Sequence, residues 1–156
     1  MLQHGHYTRR VKEKEEEIKI YRYICPKCGK TTAILPDFLL PYKQYSVNEI
    51  ESVIDDAETT RVSDIDTKAS ESTVYRWIKE MNQKIEEWIS LLKAHLFKIE
   101  NKIISELNLK GLTLIDQLEA VTEELPKIRY SGNKLGHAAI YISNIYNYFT
   151  SKRIST

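Results

Sequence analysis

The sequence predicts a mainly α fold entered through a small β-hairpin. Three observations carry this prediction. Ile85, Ile89, Leu92, Leu96, Ile99 and Ile103 recur in an unbroken 4-3-4-3-4 spacing, the apolar stripe of a bundled or coiled helix. Ser46, with Glu49 three residues on, forms a capping box that opens a helical period. Ahead of both, Ile18, Ile20 and Ile24 alternate with Tyr21 and Tyr23, as in a strand with one face covered.

Taken in order, Tyr7 to Val11 and Ile18 to Ile24 are the strands of the hairpin. Its "KEKEEE" tip carries no turn glycine, and "TTAIL" supplies a short third strand. These elements make a first unit, residues 1–35. Residues 36–46 follow as a linker that packs, since Pro36 and Pro41 forbid a regular helix while its leucines and aromatics demand burial. Residues 47–82 read as a helix-turn-helix. Val47, Ile50 and Ile54 mark its first helix, and Val62, Ile65 and Ala69 mark a weaker, acidic second one. Ser70 or Ser72 caps a third helix beginning "ESTVYRWIKEM". No Pro or Gly interrupts that helix before Gly111, so it continues into a bundle spanning residues 83–156. There "LTLIDQLEAVTEELP" is a helix stopped by Pro126, and Ala138, Ile142, Ile145 and Phe149 mark a last one. The stripe from Ile85 to Ile103 either packs on these two helices or joins two chains as a homodimer.

Composition narrows the class. With 156 residues, 42% hydrophobic and 29% charged, the chain is a soluble globular protein, too short for a complete transposase or nuclease core of the ribonuclease H type with added domains. No apolar run reaches the ~18–20 residues of a membrane span, and the N-terminus lacks a signal-peptide core. The expected compartment is the cytoplasm, where thiols stay reduced. A net charge of +1 conceals segregation: residues 1–45 carry +4, residues 46–72 carry −6 and residues 73–156 carry +3. That excludes a generally basic DNA-coating protein and leaves local basic faces.

Two constellations carry chemistry. Cys25 and Cys28, in "CPKCG", are spaced as a zinc knuckle, in which a tight turn aims backbone amides at the sulfurs. A structural zinc site wants four ligands, and only one pair is present. His4 and His6, on one face of a strand, can complete it, as can a second chain or a pair upstream of Met1. Otherwise the two cysteines are ordinary small residues. A redox role would need a helix directly after the pair, where a turn and a strand are expected. The second constellation is "SESTVYRWI". Val74, Trp77, Ile78 and Met81 make a buried stripe, while Ser72, Thr73, Arg76 and Lys79 project elsewhere, as on a recognition helix whose hydroxyls reach phosphates and whose arginine reaches a base edge. A capped helix with an ordinary polar face explains the same residues. Asp55, Asp56, Asp64, Asp66 and Glu71 read as a solvated face and not a catalytic metal site, and no phosphate loop, nucleophile elbow or H-E-x-x-H pattern is present.

Together, "HGHYTRR", "IKIYRYICPKCGKTTAILPDFLLPYKQYS" and "STVYRWI" resemble a family of bacterial proteins of uncharacterised function related to transposase N-terminal regions. The similarity covers roughly residues 4–80. It implies a zinc-ribbon-like hairpin, an "LP..LLPY..YS" linker and a helix-turn-helix, hence DNA binding in a mobile-element or phage-like setting, with no catalytic residues. In such proteins a first cysteine pair stands ahead of "HG.Y.RR", earlier than this chain begins. A histidine at the place of His4 belongs to the pattern even where four cysteines exist. The expectation is a non-enzymatic protein that binds double-stranded DNA, with Arg9, Arg10, Arg76 and Lys79 as contacts. The alternative is a protein–protein adaptor using the seam from Ile85 to Ile103.

Overall fold

The computed structural model describes residues 1–101 and 103–124, with backbone alone at residues 99, 100, 106 and 107. It corrects the mainly α expectation to a mixed α/β fold. Strands β1 (Leu2–Val11), β2 (Glu16–Ile24) and β3 (Thr31–Ala33) form one antiparallel sheet in that order. Helices α1 (Val47–Thr59), α2 (Glu71–Glu100), α3 (Glu106–Leu109) and α4 (Leu114–Glu123) follow.

The strand content grows because β1 starts at Leu2 and not at Tyr7, giving β2 a partner along its whole length. The register shifts between Gln3 and Gly5, where Gly5 holds φ +130°, and pairing resumes beyond that bulge. At the hairpin tip Glu15 takes φ 55° in place of a glycine.

The helical content shrinks at two places. The expected middle helix of a helix-turn-helix is a single 3-10 turn, Val62–Asp64, so α1 and α2 are joined by a long connection and not by a tight turn between helices. Only Ile65 of its apolar residues is buried; Val62 and Ala69 are half-buried against the core. The long helix also stops well before Gly111. Asn101, at φ 52°, caps α2 in the left-handed region and donates its N–H to the Leu96 carbonyl.

Two apolar cores result. A small one joins Val11 and Ile20 of the sheet to Leu39, with Ile18, Leu35 and Phe38 around it. The larger one joins Val47, Ile50, Val53 and Ile54 of α1, the inner face of α2, and Ile115, Leu118 and Val121 of α4. Leu39 and Leu40 are adjacent and both buried, yet Leu39 enters the sheet core and Leu40 the helical one. The linker between its prolines is thus the hinge point of both cores. In the larger core Trp77 lies edge-on to Tyr45 with ring centroids 4.9 Å apart.

The apolar stripe of α2 is spent inside the chain. Ile85, Ile89, Leu92 and Leu96 are 0 to 7% exposed and belong to the core shared with α1 and α4. Ile103 is 79% exposed and lies past the helix end, while the side chain of Ile99 lies outside the described residues. So do His137 and the last expected helix, with Ala138, Ile142, Ile145 and Phe149.

Candidate nucleic-acid interface

The first turns of α2 divide cleanly. Val74, Trp77 and Met81 are buried, which turns Ser72, Arg76 and Lys79 outward, with Thr73 half-buried. The Ser70 hydroxyl lies 3.1 Å from that of Ser72 and 2.9 Å from that of Thr73, while its carbonyl accepts from the N–H groups of Thr73 and Val74. No side chain caps a backbone N–H at this end, so the hydroxyl group of three sits at the positive end of a long helix dipole. Among the described residues Arg76 and Lys79 make no ion pair. Tyr75, on the same end, is 58% exposed.

The two arginines of β1 part company. Arg10 is exposed and makes no ion pair among the described residues. Arg9 is half-buried, and one guanidinium nitrogen donates to the carbonyls of both Leu40 (2.7 Å) and Lys43. Of the two β1 arginines expected as DNA contacts, Arg9 thus fastens the linker onto the sheet through that nitrogen.

The "KEKEEE" tip, which looks like a solvated charge run, is the sheet's main anchor to the helical half. Glu13 accepts the Ser46 N–H at 2.8 Å, and the Lys12 N–H donates to Gln44 at 2.8 Å. Glu15 pairs with Lys68 at 3.1 Å, and that hydrogen bond lowers the pKa of its carboxyl. Lys12 and Lys14 lie over the rings of Tyr45 and Phe38. The capping box is consequently half-formed. Ser46 Oγ accepts the Glu49 N–H at 3.2 Å, but the returning carboxylate comes from Glu13, and Glu49 instead takes the Thr67 hydroxyl at 2.6 Å. A further clamp joins Lys43 to Glu80 of α2 at 2.6 Å; the hydrogen bonds from Lys43, then Lys84, hold Glu80 below the usual carboxylate range. Nothing in sequence spacing announces the pairs Glu13–Ser46, Lys43–Glu80 and Glu15–Lys68, which lie 33, 37 and 53 residues apart.

The cysteines sit in the turn between β2 and β3. The Gly29 N–H donates to the Cys25 carbonyl at 2.8 Å, and Gly29 takes φ +68°. Hydrogen bonds from the backbone of Cys28, then of Lys27, then from the Cys28 side chain lower the pKa of the Cys25 thiol. Amides aimed at a sulfur are what a metal-binding knuckle supplies, so the pair fits half of a zinc site. His6 is placed against Tyr21, with ring centroids 6.1 Å apart, and His4 falls in the bulge of β1. Among the described residues no three His, Cys, Asp or Glu side chains gather as a metal site, so the two histidines do not join the cysteines.

The acidic residues of α1 also have a use the sequence hides. Asp55 accepts the Thr113 hydroxyl at 2.6 Å and Glu58 accepts the Leu114 N–H at 2.7 Å, so α1 caps the start of α4. Burial, with Asp116, Glu123 and Asp55 nearby, raises the pKa of Glu119 on α4.

Among the described residues no helix is long and apolar enough to cross a membrane. Residues 1–77 match the model of a family described as a domain of unknown function, DUF6431. The match spans the sheet, the linker, α1 and the first turns of α2; it carries no link to transposases. No curated protein and no solved structure matches the chain significantly.

Proposed function

We propose that the chain is a non-enzymatic, cytoplasmic DNA-binding protein that grips duplex with the N-terminal turns of α2, in the regulatory or mobile-element setting the sequence resemblance implies. One observation carries this reading: the turns that bury Val74, Trp77 and Met81 present Ser72, Thr73, Arg76 and Lys79 together, with both cations unpaired among the described residues. Cations left without carboxylate partners are available to phosphates, and hydroxyls at a helix N-terminus add donors at the favourable end of the dipole. The presentation differs from a three-helix unit, since a 3-10 turn replaces the middle helix and the sheet's tip braces α1 instead. Arg10 is the remaining β1 contact.

Within this reading zinc is a structural ion, with Cys25 and Cys28 as two of its ligands; metal analysis of the purified chain and of Cys25→Ser tests it. The DNA reading is preferred to a protein–protein adaptor because Ile85, Ile89, Leu92 and Leu96 of the seam are buried within the chain, although Ile103 is exposed. The test of DNA binding is a gel shift with random duplex at ~50 mM salt. Retention that fades steeply with salt, and drops on Arg76→Ala with Lys79→Ala, is expected. Absence of retention by the unmodified chain would end the proposal.

A further inference from the structure

A shallow groove of about 530 Å³ lies between the sheet and the linker, within the ~300–1,000 Å³ range of small-ligand sites. Tyr7, Arg10, Leu35, Pro41, Tyr42 and Lys43 are among its lining residues, none of which is acidic. Tyr42 is 100% exposed and holds φ 64°, a left-handed backbone that a tyrosine keeps only where its surroundings impose it. Those surroundings are visible on both sides of it. Arg9 ties down the carbonyls of Leu40 and Lys43, the Lys43 N–H donates to Leu40 at 3.3 Å, and the Lys43 ammonium is clamped to Glu80. A strained, pinned backbone therefore holds an aromatic ring out in water, where it contributes nothing to either core.

We infer that this groove receives an unpaired nucleotide of a single-stranded segment, its base stacked on Tyr42 and its phosphate set toward Arg10. The choice follows from the two properties of the site. A ring with its faces uncovered stacks on any base whose own face is free, which a base inside a duplex is not. A lining with cations and no carboxylate draws a polyanion. An acidic peptide would satisfy the charge and leave the ring idle. Lys43 links the groove to Glu80, one turn from Arg76, so the site adjoins the proposed duplex face and shares only Arg10 with it. The inference borrows from the DNA-binding reading only its choice of nucleic acid among polyanions.

Fluorescence anisotropy on the full chain, with a labelled oligo(dT) of ~10 nucleotides and a duplex of the same length, tests it. The unmodified chain is expected to bind the oligo(dT), and Tyr42→Ala to weaken that binding about five- to one-hundred-fold, the size of one lost stacking contact. Tyr42→Phe should keep it, and Arg76→Ala with Lys79→Ala should lower duplex binding alone. Failure of the unmodified chain to bind oligo(dT) would overturn the inference. So would equal binding by Tyr42→Ala, or a Tyr42-independent competition by polyglutamate as strong as that by oligo(dT). Absence of duplex binding by the unmodified chain, with the Tyr42-dependent single-strand signal intact, would sink the proposed function and support this one.

Discussion

Between α1, α2 and α4 the core is continuous and apolar, running from Val47 to Val121 around Trp77; under the sheet it contracts to Val11, Ile20 and Leu39 with a fringe of half-buried residues. The helical half is held chiefly by this burial, with Asp55 and Glu58 of α1 adding hydrogen bonds to the start of α4. The sheet half is held against it by directional contacts: Arg9 on two carbonyls, Glu13 on the Ser46 N–H, Lys43 on Glu80 and Glu15 on Lys68. The comparison teaches that one chain can use burial for cohesion and polar tethers for placement. A tether fixes where the sheet sits, and with it the geometry of the linker groove, at the cost of sensitivity to pH and to single charges.

Substitutions should separate the two regimes. The largest effect is expected from Trp77→Ala, which opens a cavity in the helical core and should cost about 3–5 kcal/mol by urea denaturation. A loss under about 1 kcal/mol would show that this core is not the main source of stability. Next comes Arg9→Ala, which takes the side-chain donor from the Lys43 carbonyl and leaves the Leu40 carbonyl with only the Lys43 N–H, and should cost about 1–3 kcal/mol. Hydrogen exchange should then rise in β1 and the linker while α2 stays protected; equal loosening of both would erase the distinction between the halves. A subtler effect concerns acid. Glu80 has a lowered pKa in the fold, so its contribution is complete above the ordinary carboxylate value of 4.5 and is lost as pH falls through the depressed one. Lys43→Ala should therefore lower stability near neutrality, where that contribution is complete, and flatten the fall of the stability–pH curve below that value. Smallest of all, Arg76→Ala should alter stability by under about 0.5 kcal/mol, because the exposed side chain makes no ion pair among the described residues, while duplex retention falls.

What could be foreseen follows the same division. Local periodicity revealed β2, the Ser46 cap and the inner stripe of α2 from Val74 to Leu96, because burial on one face leaves a repeat in the sequence. The tethers leave none. Arg9 reads as a DNA contact until a carbonyl 34 residues away is placed beside it, and Asp55 reads as solvated until Thr113 arrives. The first half of β1 was hidden because Gln3, Gly5 and His6 pair through backbone on either side of the bulge at His4 and carry no apolar alternation. The early end of α2 was hidden because an asparagine, and not the later glycine, takes the left-handed cap. Among the expected DNA contacts, the α2 residues lie where periodicity placed them, and Arg9 does not.

Helix α2 also has a mechanical consequence. Thirty residues at 1.5 Å each make a rod about 45 Å long, with the unpaired cations near its start and α4 packed along its inner face. A rod of that length is a lever. A tilt of about 5° at one end carries the other through about 4 Å, roughly three-quarters of the rise of one helical turn. Whatever settles the packing between α2 and α4 therefore also aims Arg76 and Lys79, and a small core substitution such as Leu118→Val can shift their aim without touching them.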